Sequence, residues 1–268
     1  MNKRLRAPAL LLCMLLAALP AAAQAPTHVI LYASGTLHGA FAEIAKTFTQ
    51  QTGFIVDQTY GASPQLSRRI EDGESVDIFA SADTANPERL ERNGRSGAVT
   101  IFAHNRLCLL VKPAVAGTRP ADEIMLDPAV RLITAIPVLD SAGDYAEATF
   151  AKLDARRPGS KAALDAKALR LFANRDVVVP AGADPGAYLL VTANRGDAFL
   201  SWCTAAASSV KTNPAQLRSL DLPPDIVVNA NYGLTLRNGA PVEAGILRGF
   251  IVSPAGQSIL ERYGFTGV

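Results

Sequence analysis

The chain is short of the residues that carry most enzyme chemistry. Its 268 residues include three histidines, three cysteines and one tryptophan, and aromatics make up only 6%. His28, His38 and His104 fall in no metal-ligand spacing, and neither a Gly-x-Ser-x-Gly elbow nor a Walker loop occurs. A histidine-built metal centre, a nucleophile–histidine pair and a nucleotide loop are therefore disfavoured. His38, alone in the first turn of a helical stretch, reads as a surface residue beside a polar loop. Asp83, Asp140 and Asp144 lie in loops after strand-like runs. Aspartate there ordinarily caps or turns the chain, so acid–base or metal roles are not assigned.

Long apolar runs are also scarce. Only Ala9 to Leu19 qualifies, flanked by Lys3, Arg4 and Arg6 on one side and Ala21-Ala22-Ala23 on the other. The run is short for a membrane span, and its flanks predict a secretory signal over residues 1–24, cleaved near Ala23. Cys13 follows Leu10-Leu11-Leu12, which does not fit a lipoprotein site. Cleavage takes three of the 26 basic residues and none of the 24 acidic ones, so the net charge moves from +2 to −1. A near-neutral mature chain has no general pull on nucleic acid or an anionic membrane. The expected product is a soluble periplasmic monomer with no cofactor. Cys108 and Cys203 remain after cleavage. In an oxidising compartment a disulfide between them is the preferred reading, with two buried thiols as the alternative.

What is abundant is apolar content of 49%, arranged in alternating strand-like and amphipathic segments. His28 to Ala33 is a continuous apolar run, and Leu37, Phe41, Ile44 and Phe48 form one helical stripe closed by Gly53. Phe54 to Tyr60, a helix opening at Ser63-Pro64, and Val76 to Ser81 continue a β-α-β-α-β rhythm. That rhythm predicts a parallel, doubly wound α/β sheet. A second α/β unit follows, with strands at 105–112, 131–138 and 197–203 and helices at 145–153, 162–172 and 186–193. Extended runs at 226–228 and 232–236 and helices at 242–251 and 254–263 close the chain. The segment from Ser208 to Pro224 reads as a loop. This tail has too few strands for its own sheet. The expected architecture is two doubly wound α/β domains, 27–103 with 228–268 and 104–227, joined by a two-strand hinge.

Polar, small-residue loops recur where helices begin: Ser34-Gly35-Thr36, Ala62-Ser63-Pro64, Ser141-Ala142-Gly143 and Ala183-Asp184-Pro185. Helix N-termini present unpaired N–H groups and partial positive charge, and the carboxyl ends of strands in open α/β sheets are where such folds bind ligands. Each loop taken singly is explained by capping; several together point to a binding cleft for a small oxyanion.

The same segments carry a family resemblance. Ala33-Ser34-Gly35-Thr36-Leu37, the run from Gly61 to Gly73, Val76-Asp77-Ile78-Phe79-Ala80-Ser81-Ala82-Asp83, Ser141 to Ala146, and the tail at Ser253 to Gln257 and Tyr263-Gly264-Phe265 resemble periplasmic molybdate-binding proteins of ABC importers. The resemblance implies a type II periplasmic-binding-protein fold, molybdate or tungstate as solute, and a membrane permease as partner. It also implies ligand contacts: Thr36 (or Ser34), Ser63, the backbone N–H groups of Ala142 and Asp184, and Trp202. Trp202 stands where the family has tyrosine, and Asp184 adds a carboxylate at a helix end. Three other readings stay open. One is the same fold around a small organic acid or other polar solute, and another is a sensor or interaction module. An exported hydrolase is the third, disfavoured by the missing nucleophile–histidine pair.

Overall fold

The computed structural model describes residues 27–174, 176–180 and 182–268. The signal segment expected at 1–24 lies outside them. Strand β1 (His28–Ser34) passes through a single 3-10 turn into α1 (His38–Thr52), which ends on Gly53 in the left-handed conformation, φ 77°. Then come β2 (Ile55–Gly61), α2 (Ser63–Glu71), β3 (Ile78–Ala80), α3 (Ala85–Arg92) and the twelve-residue β4 (Thr100–Val111). The middle of the chain supplies α4 (Pro113–Ala116), α5 (Ala121–Leu126), β5 (Leu132–Ala135), α6 (Ser141–Arg156), α7 (Ser160–Lys167) and β6 (Leu169–Phe172). It continues with α8 (Pro185–Ala187), a π-helical turn (Tyr188–Thr192), β7 (Ala198–Trp202), α9 (Cys203–Thr212) and β8 (Arg218–Asp221). Finally β9 (Asn229–Leu236), α10 (Val242–Val252) and α11 (Pro254–Arg262) return to the first half.

The strands follow the order β2-β1-β3-β9-β4-β7-β5-β6, with β8 also paired to β4. The β2-β1-β3 and β7-β5-β6 groups are parallel, while β9, β4 and β7 are mutually antiparallel where they pair. Helices cover both sides, the doubly wound α/β arrangement. β4 carries the continuity. Thr100 to Arg106 pairs with β9, and Leu107 to Val111 pairs with β7. Strands β4 and β9 are thus the two connections between the halves. Their pairing buries Phe102 and Tyr232 completely, and Tyr232 stands edge-on to Phe102, Trp202 and Phe265. One apolar core therefore runs from Val29 and Phe41 through Tyr232 to Leu200 and Phe150.

The bridge between Cys108 and Cys203 is present and ties β4 to the first turn of α9. Other details differ from the sequence reading. The 162–172 stretch divides into α7 and an edge strand, because Leu169 to Phe172 pairs with β5. Tertiary pairing outweighs local helix propensity there. The 186–193 helix holds one α-turn before Ala193 N–H reaches back five residues to the Tyr188 carbonyl, 2.7 Å. The 208–224 loop contains the end of α9 and β8, and 226–228 joins no strand. Helix α2 begins at Ser63 itself, with Ala62 as its N-cap and no side-chain capping bond. Among the described residues, no helix is long and apolar enough to cross a membrane.

Candidate functional site

A cavity of about 380 Å³ opens at the carboxyl ends of the strands, between the two halves of the sheet. One wall is Ser34 to Thr36 from the end of β1, with Gly61, Ala62 and Gln65 from the β2–α2 junction. The other holds Asp140 and Ala142 at the start of α6, Asp184 to Gly186 at α8, and Ser201 and Trp202 at the end of β7. Leu171, Phe172, Val177, Val179 and Phe199 give it a large apolar face.

The hydroxyls at the end of β1 belong to one hydrogen-bonded chain. Asn105 accepts the Arg106 N–H with its oxygen, 2.9 Å, which fixes its amide to donate to Thr204 Oγ1 and the Tyr232 hydroxyl, 3.0 and 3.1 Å. The Tyr232 hydroxyl also hydrogen-bonds with Thr36 Oγ1, 3.2 Å away. Ser34 Oγ and Thr36 Oγ1, 3.1 Å apart, extend this chain to the cavity wall. Burial pushes the Tyr232 phenol far above its ordinary value, so it stays protonated.

Both helix ends on the opposite wall are already occupied by carboxylates. Asp140 caps α6, its Oδ1 accepting the Ala142 N–H at 2.8 Å. Asp184 caps α8 in the same way, accepting Ala187 N–H at 2.8 Å and the Ser209 hydroxyl at 2.6 Å. Asp before Pro at the first helical position is a favoured helix start, so the local reason was visible in the sequence. Asp140 is 8% exposed, and burial, with Asp144 and Asp83 adding repulsion, pushes its carboxyl up to about 6. Ser141 donates to Asp83 Oδ2 behind it, and burial also raises Asp144. Trp202 is wedged edge-on between Tyr145 and Tyr232, ring centroids 5.2 and 5.5 Å away.

Of the residues singled out from sequence, Ser34, Thr36, Ala142, Asp184 and Trp202 come together in this cavity wall. Ser63 does not line it. Its side chain is 2% exposed and its Oγ accepts the Ala82 N–H at 3.0 Å, tying α2 to the end of β3. Replacing Ser63 by alanine strands that buried N–H, and a loss of about 1–3 kcal/mol in unfolding free energy is expected. A denaturant melt of Ser63→Ala measures it, and an unchanged midpoint would mean that Ala82 finds another acceptor. The residues sequence reasoning passed over are Asn105, Tyr232 and Ser209. Asp140, read from sequence as a cap or turn residue, does cap α6 and also lines the cavity; Tyr232 sits in an apolar strand that carries no polar cue.

A family model described as bacterial extracellular solute-binding protein matches residues 29–266. An uncharacterised protein of Pasteurella multocida is 28% identical over 236 residues, 87% of this chain and 96% of that one. The molybdate-binding protein ModA of Mycobacterium bovis is 30% identical over 89 residues, 32% of this chain and 34% of that protein. Among solved structures, Peb3 from Campylobacter jejuni matches with a TM-score of 0.70 at 15% identity, covering 90% of this chain and all of that one. The periplasmic molybdate-binding protein of Azotobacter vinelandii gives 0.69 at 17% identity, over 89% and 98%. The sulfate-binding protein SubI from Mycobacterium tuberculosis gives 0.73 at 19%, over 90% and 87%. At these identities the structures establish a shared fold, that of type II periplasmic binding proteins. With the family match spanning nearly every described residue, this chain belongs to the bacterial extracellular solute-binding proteins.

Proposed function

We propose that the protein is a periplasmic receptor that holds one small solute between two lobes and hands it to the permease of an ABC importer. The lobes are 27–103 with 228–268, and 104–227. The observation that carries this reading is the cavity itself, whose two walls come from the two halves of the sheet. A ligand touching Ser34 and Thr36 on one side and Asp184 and Trp202 on the other favours a closed arrangement in proportion to the contacts it adds there. Ser141 donating to Asp83, and Arg68 reaching the Val138 carbonyl at 3.4 Å, already link the two halves. No catalytic step is assigned to these residues.

For the solute, molybdate or tungstate follows from the sequence resemblance and from the hydroxyl pair ending β1. An organic solute is favoured by a different observation. A cavity of about 380 Å³ with a mostly apolar lining falls within the range of small-molecule pockets, well beyond what a bare tetrahedral anion fills. A melting panel of molybdate, tungstate, sulfate, phosphate and small carboxylates tests the receptor reading. A true ligand at 100 times its dissociation constant adds about 2.7 kcal/mol, a rise of roughly 5–10 °C for a chain of this size. A rise with molybdate or tungstate alone supports the oxyanion. Silence across both this panel and one of organic amines counts against a solute receptor.

A further inference from the structure

We propose that the first half of the sheet holds one buried structural water molecule, bound by Ser96, Thr235 and Arg237. The site shares no lining residue with the solute cavity, and the inference is independent of the receptor reading. A second cavity, of about 10 Å³, lies between α2, β3, α3 and the end of β9. Strand geometry aims three polar side chains at it. Thr235 and Arg237 are two residues apart on one extended run, and an isolated antiparallel bridge sets Ser96 opposite Arg237. All three therefore share one face. Ser96 Oγ and Arg237 Nε are shut off from solvent and meet no partner among the described residues. Thr235, 1% exposed, donates its hydroxyl to the Gly97 carbonyl at 2.6 Å and keeps a lone pair for a donor. Buried polar groups without partners are costly, and a charged N–H most of all.

Volume and charge choose the occupant. About 10 Å³ is the room one water needs, and cavities of this size with polar walls are wet where wholly apolar ones stay dry. A water there accepts from Arg237 Nε and the Ser96 hydroxyl and donates to Thr235 Oγ1. Three partners are the usual complement of a buried water. A halide of similar size is disfavoured. Arg237 already pairs with the buried Asp77 at 3.0 Å, and the other Asp77 oxygen takes the Ile30 N–H. Arg95, the other cation on the wall, is exposed and turns its guanidinium to the Glu71 carbonyl at 2.9 Å. An added anion would be a buried charge without a counter-charge. The water also has a place in the architecture. Arg237 N–H donates to the Asp77 carbonyl, so the Ser96–Arg237 bridge ties the end of β9 to β3 and to the turn after α3. The water joins the side chains across that bridge.

Crystals of the protein are expected to show a single solvent peak about 2.7–3.2 Å from Arg237 Nε, Ser96 Oγ and Thr235 Oγ1. The same crystals soaked in bromide should give no anomalous signal at that point. In solution, magnetic relaxation dispersion of the water oxygen counts waters held longer than the protein tumbles. Ser96→Val removes one partner and places a methyl group in the cavity. The variant is therefore expected to hold one long-lived water fewer than the native chain. Should it fail to fold, the native crystals decide alone. An empty cavity, a bromide peak in it, or equal dispersion from the native chain and folded Ser96→Val overturns the proposal.

Discussion

Replacing Cys108 and Cys203 together by alanine is expected to lower the melting temperature by roughly 10 °C. The bridge closes a loop of 95 residues, and cross-linking a loop of that length removes enough unfolded-chain freedom to be worth about 3–5 kcal/mol. For a domain of this size each kcal/mol moves the midpoint by about 2–4 °C. The effect is not confined to global stability. Cys203 opens α9 directly after Trp202, and the same helix carries Ser209, which donates to Asp184. Without the bridge, α9 is held to β4 by packing and by the Asn105–Thr204 hydrogen bond, and the wall bearing Trp202 and Asp184 loosens. Solute affinity is therefore expected to fall along with the melting point. Scanning calorimetry of the double variant, beside the native chain with and without reductant, is the measurement. A midpoint within about 2 °C of the native value would show that the loop is constrained by other means.

Gly143→Ala is expected to be the most damaging single methyl group at the cavity. A Cβ at this position would stand 2.5 Å from both the Ile136 carbonyl carbon and the Pro137 nitrogen, and 2.6 Å from the Ile136 oxygen. These are backbone atoms and cannot rotate away. The first turn of α6 has to move by most of an ångström to restore contact distance, taking Asp140, Ser141 and Ala142 with it. Overpacking of this kind costs about 1–3 kcal/mol, at times more. Any solute that depends on the α6 end should bind at least about tenfold more weakly, since 1.4 kcal/mol is a factor of ten. Gly245→Ala on α10, where the added Cβ meets nothing within 4 Å, is the control. If both variants melt and bind alike, α6 accommodates the methyl group and its end is not a fixed part of the site.

The sequence disclosed more of the fold than of the chemistry. Strands β4 and β9 begin at Thr100 and Asn229, outside the runs read as strands at 105–112 and 232–236. Strand β1 and helix α1 with its Gly53 stop, by contrast, follow from periodicity and glycine chemistry that act within a few residues. The edge strands β6 and β8 were invisible for the opposite reason. Leu169 to Phe172 is half-buried, Arg218 to Asp221 mostly exposed, both are short, and only their partners β5 and β4 make them strands. The same limit applies at the site. Ser63 and Ala142 stood in recognisable motifs, but what their donors and acceptors meet is set across space. Ala82 N–H, 19 residues on, takes the Ser63 oxygen. Asp140, read from sequence as a cap or turn residue, does cap, and the fold also buries it in the cavity wall. No local pattern reports that second property, because burial is set by residues that meet only in the folded chain.

The placement of β9 has a consequence for the order in which the molecule can be made. β9 fills the gap between β3 and β4 and pairs with both, yet it leaves the ribosome more than a hundred residues after them. Until it arrives, β3 presents an open edge and Phe102 lacks its Tyr232 partner. The segment from β5 to β8, by contrast, can assemble on the second half of β4 as soon as it is synthesised, and it brings Cys203 to Cys108 of β4. The half that begins the chain is therefore the half that finishes last. Long-range pairing of this kind slows folding and prolongs exposure of a strand edge. Chains truncated before β9 should accumulate as aggregates nucleated at β1–β3, while the already bridged middle segment within them resists protease.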